Sequence, residues 1–235
     1  MLRLAFVGTN YSGWQIQPDV PTVQGTLKSC LERIINREIR LTGCCRTDAG
    51  VHAQDYVANF MCDKVLDENK LLKSLNAILP KDIGVYELKK VSEDFNSRFS
   101  VKRKTYLYRV WNTLPREPFL YPFVWHITRE LNLEALRDVL KILEGRKDFR
   151  GFARLEEEKS SIIELKTSIE IQSPLIEIRF SASHFLRFMV RRLVGTAVAV
   201  AQRKITLSEV ERFLQGEKSP YTAPSKGLTL ERVYL

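Results

Sequence analysis

No run in the 235-residue chain approaches the ~20 apolar residues that a membrane-crossing helix needs, and the longest candidate, Leu193 to Ala201, is far too short. Cysteine and histidine are sparse: Cys30, Cys44, Cys45 and Cys62, with His52, His126 and His184 scattered along the chain. No C-x-x-C pair or His cluster appears, so a structural metal is not expected. Adjacent Cys44 and Cys45 look poorly placed to bridge each other, which points to a reduced cytoplasmic protein. There is no phosphate-cradling glycine loop, no low-complexity tract and no short repeat. Residues Met1 to Phe6 enter a strand pattern at once, so no signal peptide is expected.

What is present is a globular chain with a basic surplus. Hydrophobic residues make up 44%, enough for a core. Lys and Arg number 37 against 28 Asp and Glu, a formal charge of +9. Such a surplus favours a polyanionic partner through phosphate neutralisation and counterion release.

Elements alternate in type. Leu2, Leu4 and Phe6 alternate as a strand. Leu27, Cys30, Leu31, Ile34 and Ile35 recur at helical spacing, predicting a helix over Val23 to Asn36 with Thr22 as its N-cap. A strand over Tyr56 to Phe60 and a helix through Leu71, Leu75 and Leu79 follow, the latter capped near Asp67 and stopped by Pro80. Ile83 to Val91 reads as a strand. Beyond it come a strand over Thr105 to Asn112, a helix from Leu133 that ends at Gly145, and a hairpin of Ile162 to Gln172 with Leu175 to Ser181. A long helix from about His184 to Arg203 and a short one over Leu207 to Leu214 complete the pattern. The class is α+β, with an antiparallel sheet and helices on one face. Two halves are expected, residues 1–100 and 101–235.

The octet Arg46-Thr47-Asp48-Ala49-Gly50-Val51-His52-Ala53 carries the chemistry. It holds a carboxylate in a short small-residue loop beside an arginine. Such an aspartate can stay ionised and act as a nucleophile; the plainer alternative is a turn residue. A cysteine nucleophile is rejected, because no general-base histidine stands beside Cys45. From Arg98 to Trp111, basic residues interleave with Phe99, Tyr106, Tyr108 and Trp111, a composition that suits RNA backbones and unstacked bases but also a charged edge strand. Arg146, Lys147, Arg150 and Arg154 add basic charge, and Glu156-Glu157-Glu158 reads as a solvated acidic loop.

The octet resembles the signature of the tRNA pseudouridine synthase A family. Further segments resemble that family in the same order. They are Gly8 to Pro18 with Thr22 to Gly25; Phe99-Ser100 with Lys104-Thr105-Tyr106-Leu107-Tyr108; Glu144-Gly145 with Asp148-Phe149 and Phe152; Phe185-Leu186 with Met189-Val190-Arg191 and Gly195; and Ala223-Pro224 with Gly227-Leu228 and Leu230. Two departures stand out: Cys44-Cys45 where the family has a small Ala-Gly pair, and Val7 where it commonly has an aspartate.

The resemblance implies two ferredoxin-like, RRM-like halves in a continuous, mainly antiparallel sheet around a central catalytic cleft. It implies an isomerase that converts uridine to pseudouridine in the anticodon stem-loop of tRNA, acting as a homodimer without cofactor. Asp48 would be the nucleophile, with attack on ribose C1′ or uracil C6 left open, and Arg191 its ion-pair partner. Tyr106 would stack under the uracil and assist proton transfer. Arg46 would fill the space of the flipped base, because extrusion costs a few kcal/mol and a guanidinium can hold the backbone bidentately. Arg103 and Lys104 would bind substrate, while Arg187 and Arg192 read as surface residues. Arg191, Arg46 and Tyr106 each have a plainer alternative: a solvated arginine, a loop brace and a core tyrosine. A non-catalytic RNA-binding module is the competing reading of the chain. A nucleotide hydrolase with Asp48 as base is a third, and it lacks metal carboxylates or a phosphate loop.

Overall fold

The computed structural model describes residues 1–154 and 160–235. The acidic run Glu156 to Glu158 lies outside them. The chain runs β1 (Leu2–Phe6), α1 (Val23–Ile35), β2 (Leu41–Gly43), β3 (His52–Phe60), α2 (Glu68–Ile78), β4 (Ile83–Leu88), β5 (Arg103–Asn112) and β6 (Trp125–Ile127). It continues with α3 (Leu133–Leu143), β7 (Gly145–Asp148), β8 (Ile162–Gln172), β9 (Leu175–Ala182), α4 (Met189–Ala201), α5 (Leu207–Leu214) and β10 (Leu228–Tyr234). The fold is α+β and its strand pairs are mainly antiparallel.

Two compact units are present: residues 1–102 with 229–235, and residues 103–228. In the first, β1 lies between β3 and β4, both antiparallel to it, and β2 pairs with β3. The helices form where the sequence places them. Thr22 accepts from the Gly25 N–H to cap α1, and Asn36 closes it in the left-handed conformation. Asp67 caps α2 through Lys70. The apolar stripe of α1 buries Leu27 and Leu31 completely, each contributing about 1.5–3 kcal/mol.

The last strand returns to this unit instead of staying with residues 101–228. Thr229 and Leu230 of β10 pair in parallel with His52 and Ala53 of β3. Asp55 secures the return: its carboxylate accepts from the Val233 N–H at 2.8 Å, from Arg3 Nη1 at 2.7 Å and from the Tyr86 hydroxyl at 2.5 Å. That link spans 178 residues of sequence, and no local pattern signals it.

The second unit orders its strands β5-β9-β8-β7, all antiparallel, with β6 parallel to the far end of β5. Here α3 is capped by Asn132 and packs on α4 and β8, while a Thr206–Glu209 capping box starts α5. Gly145, expected as a helix stop, has φ +96 and opens β7 directly. The helix expected from His184 begins at Met189. Phe188 before it is left-handed, at φ 65, and Arg187 is engaged in a bridge with Arg154. An apolar run at mixed spacing hides that break. Likewise β3 starts at His52, four residues before the strand read from sequence, and β4 stops at Leu88.

Candidate active site

Between β2 and β3 the octet forms a loop fixed mostly by backbone contacts. The Trp14 N–H donates to the Thr47 carbonyl at 3.2 Å, and the Gly50 N–H donates to the Tyr11 carbonyl at 3.2 Å. Asp48 accepts from the Val51 N–H through its carbonyl, also at 3.2 Å, closing a tight turn. Gly50 sits at φ +76, where a side chain would be strained.

The glycines of the Gly8 to Pro18 segment explain how the loop gets this close. A Cβ on Gly13, at φ +91, would lie 2.3 Å from the Thr47 carbonyl oxygen and 3.1 Å from the Asp48 carbonyl carbon. A Cβ on Gly8 would meet the Val51 oxygen at 2.0 Å. Trp14 is 2% exposed and stacks on Tyr56 with centroids 4.1 Å apart; it anchors the segment that the loop leans on. The Tyr56 hydroxyl donates to the Cys45 carbonyl. His52 is buried, and its Nδ1 accepts from the Gly8 N–H at 3.0 Å, so this histidine braces the loop.

Within that frame Asp48 is half-buried, Arg46 is exposed and Thr47 is buried with no hydrogen-bond partner for its hydroxyl among the described residues. Tyr11, Gly13, Trp14 and Tyr56 shape the site, and sequence reasoning gave none of them a role. The signal available was glycine and tryptophan inside one of the quoted segments.

In the second unit, Tyr106 and Tyr108 stand two residues apart on β5, on one face by strand alternation, yet their surroundings differ. Tyr108 is fully buried, donates from its hydroxyl to the Pro224 carbonyl at 2.8 Å and packs where a Cβ on Gly227 would collide with its ring. Burial pushes its phenol well above the usual range, and the Arg191 charge only partly offsets this. Its hydroxyl is committed to structure. Tyr106 keeps 7% of its surface and meets Phe185 edge-on at 4.9 Å.

Lys104 is only 7% exposed, and among the described residues its ammonium forms no ion pair or hydrogen bond. Its Nζ is not one of the buried unpartnered side-chain atoms, so the stem is covered while the charge reaches the surface. Arg103, at the start of β5, is exposed.

Arg191 projects from the first turns of α4. Its Nε donates to the Ala223 carbonyl at 2.8 Å, and the Ala223 N–H donates back to the Arg191 carbonyl at 2.9 Å. Its guanidinium lies 5.9 Å from the Phe188 centroid. One turn on, the bare backbone of Gly195 admits Tyr221 and Thr222, since a Cβ there would stand 2.8 Å from the Tyr221 carbonyl carbon. The close approach that a small residue allows is therefore that of segment 219–224. Arg187 is exposed, as expected of a surface residue; Arg192 is half-buried and its Nε has no partner among the described residues. Those residues also contain no group of three or more His, Cys, Asp or Glu able to hold a metal, and no helix long and apolar enough to cross a membrane.

One α+β unit carries the backbone-braced Asp48 loop, and the other carries Tyr106, Lys104 and the tethered Arg191. Comparison with known proteins supplies the family. A profile of the tRNA pseudouridine synthase family matches residues 4–100 and 139–234. The tRNA pseudouridine synthase A of Aquifex aeolicus is 56% identical over 237 residues, covering 100% of this chain and 98% of the relative. That of Hydrogenobaculum sp. is 40% identical, covering 98% of this chain and 97% of the relative. That of Thermodesulfovibrio yellowstonii is 35% identical, covering 99% and 97%. The chain belongs to the tRNA pseudouridine synthase family.

Proposed function

We propose that the chain isomerises uridine to pseudouridine in the anticodon stem-loop of tRNA, as a cytoplasmic homodimer, with Asp48 as its nucleophile. The observation that carries this reading is the Asp48 loop. Its position is set by hydrogen bonds to Tyr11 and Trp14 and by the missing side chain of Gly13, which is how a reacting group is preorganised.

The reaction is internal to the substrate. The bond from ribose C1′ to N1 breaks, a bond from C1′ to C5 forms, the C5 proton leaves and N1 gains a proton. The site must detach the base, retain it while it turns and remove the C5 proton. Asp48 supplies the attacking oxygen. Arg191 is assigned as its cationic partner, a role supported by the tether of Nε to Ala223, which fixes the direction of the fork. Tyr106 stacks on the uracil, a role supported by its residual 7% exposure where Tyr108 has none. Exposed Arg46 occupies the stack that the base leaves. Lys104 and Arg103 hold backbone phosphate, a role supported for Lys104 by an ammonium that reaches the surface from a covered stem.

Asp48→Asn tests the assignment. The variant is expected to bind tRNA as the parent does and to form no pseudouridine. Parent-like turnover would remove Asp48 from the chemistry. Binding by the parent chain without product would leave a plain RNA-binding module. Arg191→Lys is expected to lower the rate by at least about 100-fold, because a point charge cannot reproduce the guanidinium fork; an unchanged rate would return Arg191 to a structural role.

A further inference from the structure

The departure at Cys44-Cys45 brings two thiols to one place. Both residues lie in the bend after β2, and their sulfurs stand 3.8 Å apart. Neighbouring side chains on an extended strand point to opposite faces, so this convergence comes from the bend. Their backbone is also pinned: the Cys44 N–H donates to the Val57 carbonyl at 2.9 Å, and the Tyr56 hydroxyl donates to the Cys45 carbonyl. Strand β3 therefore holds the pair in position before any ligand arrives.

The sulfur spacing selects what could join them. A disulfide needs its sulfurs at ~2.03–2.05 Å, so a direct bond would require about 1.8 Å of closure from a pinned backbone. A single bridging atom with ~2.3 Å bonds to sulfur spans roughly 3.3 Å at a right angle and roughly 3.8 Å at a tetrahedral one, so the gap of 3.8 Å closes on it with a shift of at most about 0.5 Å. No third His, Cys, Asp or Glu completes a metal cluster among the described residues, so a closed four-ligand zinc site does not fit. Two sulfurs alone suit a soft, thiophilic centre.

We propose that Cys44 and Cys45 form a preorganised dithiol site for a soft thiophilic centre of the trivalent-arsenic class. With an aryl arsenoxide, two arsenic–sulfur bonds form. The two thiol protons leave with the arsenic-bound oxygen as water, and no oxidation state changes. Entry is from the side of Cys45, which is partly exposed, whereas Cys44 is 2% exposed. The site is independent of the isomerase reading, because its occupancy is measured without turnover.

The test uses the full chain and phenylarsine oxide, read by intact mass. One adduct per chain is expected. It should survive excess 2-mercaptoethanol and be removed by dithiothreitol, because a chelate resists monothiols. Cys30 and Cys62, each partly exposed, could take the reagent singly, and such adducts are stripped by the monothiol. Cys45→Ser and, separately, Cys44→Ser should each weaken retention at least ~100-fold through loss of the second sulfur. Substituting Cys30 and Cys62 together by serine should change nothing. A parent adduct stripped by 2-mercaptoethanol would overturn the proposal, as would a monothiol-resistant adduct persisting in Cys45→Ser.

Discussion

Alanine at position 13 touches no substrate, yet it should disable the enzyme. The added methyl carbon would stand 2.3 Å from the Thr47 carbonyl oxygen and 3.3 Å from the Ala49 nitrogen. Even weak carbon–oxygen contacts settle near ~3.3–3.6 Å, so about 1 Å must be recovered. Trp14 cannot yield it, being 2% exposed and stacked on Tyr56. The octet loop must move instead, and Asp48 moves with it. Holding a side chain at φ +91 adds backbone strain of about 1–3 kcal/mol. For a chain of this length that lowers the thermal midpoint by about 2–4 °C per kcal/mol, which leaves the protein folded at room temperature. A misplacement of about 1 Å costs about 100-fold in rate, or about 2.7 kcal/mol of transition-state stabilisation. The assay is single-turnover release of tritium from tRNA labelled at uracil C5, since that proton is lost on isomerisation. Thermal unfolding is followed alongside. A single-turnover rate within about threefold of the parent, less than about 1 kcal/mol, would refute the claim that Gly13 sets the Asp48 position.

The two tyrosines of β5 should separate cleanly: Tyr108→Phe loses the hydrogen bond to Pro224 and is expected to cost about 1–3 kcal/mol of stability with turnover kept. Tyr106→Leu should keep the fold and lose about 5- to 150-fold in rate, the equivalent of ~1–3 kcal/mol of base stacking; the reverse pattern in unfolding and tritium release would exchange their roles. Glu177 is pushed up by burial but held below its usual carboxylate range by hydrogen bonds from Arg109 and Arg179. A lowered folded value means stability that is present above the unfolded value of 4.5 and lost as pH falls through the folded one. Glu177→Gln should therefore show a shallower fall in unfolding midpoint below about pH 4.5 than the parent, and equal slopes would contradict the ion pairs. Affinity for tRNA should drop steeply between low and moderate salt, and a flat profile in a filter-binding titration would argue against phosphate contacts.

Helices and hairpins were legible because their causes are local. The spacing of Leu27, Leu31 and Ile35 and the Thr22 cap define α1 within a residue of its end, and the β8–β9 hairpin turns where Ser173-Pro174 stands. What escaped was decided at a distance or by a single backbone torsion. The true start of α4 depends on Phe188 adopting a left-handed conformation, and β10 joins β3 through an aspartate remote in sequence.

The same division runs through the candidate site. The sequence alone determined the chemistry on offer, one carboxylate among arginines and aromatics in recognisable order, because side-chain identity is all that such a choice requires. Only the tertiary structure could commit the Tyr108 hydroxyl to Pro224, set the bare backbone of glycines 8 and 13 against the octet loop, and bring two adjacent thiols into contact. Each of these depends on which backbone lies against which, and that is settled by packing between segments far apart in the chain.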